Sequence, residues 1–128
     1  MNLVLDTGGV SALAGHRARL AELRRRGAWP PQVPTVVLVE VLTGDHRRDF
    51  HENHLLGMCQ IRPVNEKTAR DGARMRTATG RADEISATDA IVAAFAISFR
   101  DPIVLTSDPA DLTDLVRTQT MPVTISAV

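Results

Sequence analysis

Short apolar runs alternate with longer stretches of helical spacing along this 128-residue chain, and that alternation restricts the fold more than any other feature. The runs Asn2–Asp6, Cys59–Val64, Pro102–Ser107 and Val123–Ser126 read as strands. A further strand within Trp29–Pro34 must be short and irregular, because its prolines cannot donate to a sheet ladder. Val10–Arg26 reads as one helix carried by Leu13, Leu20 and Leu23 and stopped by Gly27. Thr35 opens a helix through about Leu42, ended by Gly44, and Asp45–Leu56 forms its hairpin partner. Asn65 caps a helix to about Thr79, Ser86 caps Ala87–Phe99, and Asp108 caps a short helix to about Thr118. The order β-α-β-α-α-β-α-α-β-α-β calls for a parallel sheet with helices on both faces. Ligands of such sheets bind beyond the carboxyl ends of the strands, where the strand order reverses.

Four acids stand where carboxylates are costly. Asp6 closes Leu3-Val4-Leu5, and Asp108 follows Ile103-Val104-Leu105-Thr106-Ser107. Glu40 interrupts Val36–Leu42, and Asp89 opens Ala90-Ile91-Val92-Ala93-Ala94. Carboxylates on such segments should be partly buried, and a buried charge must be paired, protonated or bound to metal. No Lys or Arg lies close in sequence to Asp6, Glu40 or Asp108. A pocket of acids without cations suits Mg²⁺ or Mn²⁺, and so a metal-dependent nuclease. Each acid also has a plainer use. Asp108 before Pro109 can cap a helix, Asp89 sits at a capping-box spacing from Ser86, and Asp6 can bond the amides of Gly8 and Gly9. Glu40 has no capping use, and its apolar helical neighbours leave it little solvated face. One shared metal site accounts for all four.

Composition sets the remaining bounds. A hydrophobic content of 44% belongs to a folded globule, and residues 1–128 are expected to form one domain. No apolar stretch is long enough to span a bilayer, and the first is too short for a signal peptide, so a cytoplasmic location is expected. The single Cys59 fits a reducing compartment and is expected to fill strand core. Fifteen basic and fifteen acidic residues cancel, so any attraction to nucleic acid must come from local patches. Lys67 is the single lysine, and Arg suits phosphate better. The candidate patches are Arg24-Arg25-Arg26 and the group Arg70, Arg74, Arg76 and Arg81; a solvated face is the ordinary use of each. His51 and His54 share the spacing of a zinc pair, but no Cys joins them and the surrounding charges suit a solvated helix.

The segments Asp6-Thr7, Val37–Gly44, Ala87–Ala94 and Leu105–Leu112, in that order and spacing, closely resemble PIN domains, and the whole chain resembles the VapC-type toxins of bacterial toxin–antitoxin pairs. The resemblance implies a three-layer α/β/α sandwich with a parallel five-stranded sheet, and Mg²⁺- or Mn²⁺-dependent cleavage of RNA. It also implies a VapB-type antitoxin partner and a homodimer. Asp6, Glu40, Asp89 and Asp108 match the acidic quartet of that family as catalytic, metal-binding residues. Asp111 matches an additional acid, and Thr7 or Ser107 would add a hydroxyl near the metal. The pair Gly8-Gly9 departs from the bulkier polar residue often found in relatives, which would loosen the loop beside Asp6.

Other functions fit less well. A signalling receiver domain wants an acidic pair at the end of the first strand and a Lys after a later one. A phosphatase of the haloacid dehalogenase type wants an Asp where Gly8 stands. A non-catalytic binding module has no need of Glu40 in an apolar helix. A housekeeping PIN-domain nuclease for RNA processing is the nearest competitor, and the absence of an added RNA-binding segment favours the toxin.

Overall fold

A computed structural model describes residues 1–128. The elements in chain order are β1 (Asn2–Leu5), α1 (Thr7–Leu13), α2 (Arg17–Arg25), β2 (Gln32–Pro34), α3 (Val36–Val41), α4 (Phe50–Leu56), β3 (Gln60–Arg62), α5 (Glu66–Ala78), α6 (Ala87–Ala96), β4 (Pro102–Thr106), α7 (Pro109–Val116) and β5 (Thr124–Ala127). All strand pairs are parallel, in the order β3-β2-β1-β4-β5. This α/β architecture is the one expected. It also separates the chain from receiver domains, whose sheets run 2-1-3-4-5.

Right-handed crossovers assign the layers. The connections β1 to β2 and β2 to β3 step toward one edge and put α1–α4 on one face. Those from β3 to β4 and from β4 to β5 step the other way and put α5–α7 on the opposite face. The packing agrees, with α5, α6 and α7 in mutual contact and α1 against α2, α3 and α4. The central strands β1 and β4 are almost wholly buried, as the apolar runs Leu3-Val4-Leu5 and Ile103-Val104-Leu105 require. The edge strand β3 is exposed along its length. On α7, Leu112 and Leu115 are fully buried and fix that helix to its neighbours. No helix is long and apolar enough to cross a membrane.

Three expectations need correction. The single helix Val10–Arg26 is two helices, α1 starting three residues earlier at Thr7 and α2 following a break at Gly15, where φ is +77°. The helix Asp45–Leu56 begins only at Phe50. Asp49, 3% exposed, accepts the Thr43 and Gly44 amides and the Thr43 hydroxyl, which fixes a tight loop where helix was expected. Cys59 lies one residue before β3, half-buried, its thiol donating to the Leu55 carbonyl and pushed up to about 12 by burial. It is an inert thiol.

Candidate metal centre

The strand order reverses between β1 and β4, which pair from Asn2↔Pro102 to Leu5↔Leu105. One step beyond that ladder stand Asp6 and Thr106. Thr106, fully buried, donates its hydroxyl to Asp6 Oδ2 and accepts the Asp108 amide at 2.8 Å. Asp6 Oδ1 accepts the Gly9 amide at 2.7 Å as the N-cap of α1. Asp6 is 3% exposed, and burial raises its pKa. The Thr106 and Gly9 bonds pull the other way, while the charge of Asp108 adds to the rise.

Asp89 enters from the first turn of α6. Ser86 caps this helix by accepting the Asp89 amide at 3.0 Å, which leaves the Asp89 carboxyl to point elsewhere. Burial pushes that carboxyl up to about 7, helped by the charges of Asp108 and Asp6, a hydrogen bond with Asp108, and the charge of Asp111. Asp108 occupies the N-cap of α7 but makes no side-chain capping bond. Asp89, Asp108 and Asp111 each place a ligating oxygen within 4.8 Å of the others. Their capping alternatives therefore do not explain Asp89 or Asp108.

Glu40 reaches the same cavity from α3, and here the expectation of burial fails. Of α3 only Val37 is buried; Val39 is 82% exposed and Glu40 is exposed as well. Glu40 Oε1 accepts the Thr7 hydroxyl at 2.9 Å, which spans the mouth of the site. Asp108 is likewise exposed. The cavity measures about 690 Å³ and is lined by Asp6, Glu40, Asp89 and Asp108 together with the hydroxyls of Thr7, Ser11, Ser86 and Ser107. No Lys, Arg or His lines it. Four carboxylates from four parts of the chain, with hydroxyls and no cation, form an all-oxygen donor set. That chemistry fits a hard divalent cation, whose positive charge would offset the neighbouring charges that raise the pKa of Asp6 and Asp89.

The remaining candidates fall elsewhere. Asp111 joins the acids but also pairs with Arg81 at 2.9 Å. The arginine patches do not line the cavity; Arg70 pairs with Glu66, Arg74 with Asp71, and Arg25 and Arg26 with Glu22. Arg24 stacks over Trp29 at 4.7 Å. His51 packs edge-on against Phe50 and joins no group of three ligands. A more apolar hollow of about 540 Å³ lies between α2 and the β4–β5 side of the sheet, and its one acid, Glu22, is already paired.

The Gly8-Gly9 pair tightens the site. A Cβ on Gly9 would come within 2.5 Å of the Leu105 carbonyl oxygen, and one on Gly8 within 2.8 Å of the Ser107 amide nitrogen and closer still to its side chain. The first turn of α1 therefore lies directly on the end of β4. Sequence reasoning missed Thr106 altogether. Its signal was weak: a single hydroxyl ending an otherwise apolar strand, aligned with Asp6 only once β1 and β4 are known to pair.

No protein-family model and no curated protein matches this sequence. Solved structures do. A chain of the DNA-bound VapBC of Salmonella typhimurium superposes with a TM-score of 0.73 at 14% identity, covering 98% of both chains. A chain of VapBC2 of Rickettsia felis, bound to a promoter DNA fragment, gives 0.72 at 15% identity, again covering 98% of both. A chain of FitAcB of Neisseria gonorrhoeae gives 0.65 at 22% identity, over 97% of this chain and 96% of that one. At these identities the likeness is one of fold, and it extends along essentially the whole chain.

Proposed function

We propose that this chain is a PIN-type, Mg²⁺- or Mn²⁺-dependent endoribonuclease that acts as the toxin of a toxin–antitoxin pair. One observation carries the reading: Asp6, Asp89 and Asp108 converge with Glu40 in a cavity without cations at the point where strand order reverses. The fold shared with chains of VapBC and FitAcB complexes supports the toxin assignment and a VapB-type antitoxin as partner.

Asp6, Asp89 and Asp108 would hold the ion, with Glu40 and Asp111 at its margins. When bound, a divalent cation would offset phosphate charge and lower the pKa of water, so that it gives up a proton more readily as it attacks phosphorus. The chain's own groups do the rest. Thr106 and the Gly9 amide fix the Asp6 carboxylate, so it needs no reorganisation when substrate arrives. Glu40 is oriented by Thr7 through one oxygen, and the other can accept a proton from the attacking water. The hydroxyls of Ser11, Ser86 and Ser107 line the approach and can donate to phosphate oxygens. In-line attack forms the new bond to phosphorus and breaks the bond to the 3′ oxygen, which takes up a proton. The products carry 5′-phosphate and 3′-hydroxyl ends.

The test compares parent, Asp6→Asn and Asp89→Asn on structured RNA with Mn²⁺. The parent should cleave in a chelator-sensitive manner, and each variant should lose activity by about a hundredfold or more. Asp89→Asn should retain or raise metal-free thermal stability, which separates loss of chemistry from loss of fold. Equal, chelator-insensitive cleavage by all three would refute the proposal.

A further inference from the structure

Arg81 lies outside the cavity and yet touches Asp111, the neighbour of two of its acids. It sits between α5 and α6, half-buried, with every kind of guanidinium nitrogen engaged. Nη2 donates to Asp111 Oδ1 at 2.9 Å, Nη1 to Asp114 Oδ2 at 2.5 Å, and Nε to Glu84 Oε2 at 3.0 Å. A planar fork held on three carboxylates has little freedom to turn. The other end of the same loop is tied by Arg76, whose Nε donates to the Ile85 carbonyl at 2.6 Å. The loop is therefore fixed on both sides.

Asp111 belongs to two groups at once. One oxygen is bound to Arg81, and the carboxylate also lies within ligating distance of Asp89 and Asp108. Its partner helix face is anchored, since Leu112 and Leu115 beside it are fully buried. An unrestrained carboxylate here would turn away from two like charges toward water. We infer that Arg81 is a positioning residue that holds Asp111 against this repulsion and presents it, preoriented, to the metal centre. The inference rests on the metal-dependent reading above.

A cation so close would, by its charge alone, repel a metal ion. The acids around it outnumber the cations. Arg81 and Arg117 face Glu84, Asp111 and Asp114, so two positive charges meet three negative ones and the group still favours a cation. Removing Arg81 leaves the group more negative still, so a loss of Mn²⁺ affinity on its removal reads lost orientation rather than lost charge.

Calorimetric titration of Mn²⁺ in the absence of RNA tests this on the parent, Arg81→Gln, Arg81→Lys, Asp111→Asn and the Arg81→Gln/Asp111→Asn double variant. Arg81→Gln and Asp111→Asn should each weaken Mn²⁺ binding about tenfold, as loss of an outer partner commonly does. The double variant should be no weaker than Asp111→Asn alone, because Arg81 acts through that carboxylate. Arg81→Lys, with one ammonium for three acids, should fall between parent and Arg81→Gln, and it carries the comparison if the Gln variant does not fold. Unchanged or tighter Mn²⁺ binding in both Arg81 variants overturns the inference, even if their unfolding temperature drops. So do losses that multiply in the double variant. A parent that binds no Mn²⁺ overturns the metal reading itself, and that outcome is visible before any variant is compared.

Discussion

Asp89 holds a carboxyl where its charge is least welcome. Its pKa, raised from 3.8 to about 7 by burial and then by Asp108 and Asp6, makes metal-free stability depend on pH. Because the folded value exceeds the unfolded one, the neutral acid stabilises the fold at low pH, and that contribution declines as pH rises from 3.8 through about 7. Asp6, also raised, adds in the same direction. Thermal unfolding without metal should therefore show the parent losing stability between pH 5 and pH 8 relative to Asp89→Asn, which lacks that titration. Mn²⁺ should reverse the slope, because binding requires the charged form. Parallel parent and variant profiles would mean that Asp89 titrates normally. Glu40 sits in a different environment. Exposed and bonded to the Thr7 hydroxyl, it carries no burial cost for metal to offset. Glu40→Gln should change metal-free stability by less than about 0.5 kcal/mol, as surface substitutions do, while still impairing RNA cleavage.

The contact between α1 and β4 depends on two missing side chains. With the Leu105 carbonyl 2.5 Å from where a Cβ on Gly9 would stand, Gly9→Ala must push α1 off the strand end. The expected cost is about 1–3 kcal/mol, the usual range for overpacking. It should appear as a lower denaturant midpoint together with weaker Mn²⁺ binding, since Asp6 caps the displaced helix. Local signals of this kind were partly legible. Asn65 and Ser86 cap α5 and α6 as the sequence indicates, because a cap is decided by a side chain and an amide three residues on. The apolar runs likewise marked β1 and β4. The break at Gly15 was not legible, as Leu13, Leu20 and Leu23 keep helical spacing across it. Nor was the late start of α4, which depends on Asp49 bonding a loop six residues back. Glu40 misled for a related reason: apolar neighbours imply burial only if the helix is surrounded, and α3 lies at the surface with Val39 exposed.

The acids were legible as residues but not as a geometry. Their meeting depends on a strand order that brings the ends of β1 and β4 side by side and swings α6 across from the far edge. The ties of Arg81 to Asp111 and of Thr106 to Asp6 became visible only through that assembly. Under the toxin reading, expression of this chain alone should arrest growth, co-expression of its cognate antitoxin should restore it, and Asp89→Asn should be harmless by itself. A parent that is folded, abundant and harmless would remove the toxin role and leave a nuclease of another kind. The bond from Thr106 to Asp6 joins residues 100 positions apart. A growing polypeptide on the ribosome thus carries Asp6 and Glu40 long before β4 (Pro102–Thr106) emerges to complete the pocket, and Asp89 only shortly before. Until β4 has paired with β1, a nuclease built on this pocket should be chemically silent beside the RNA machine that is making it.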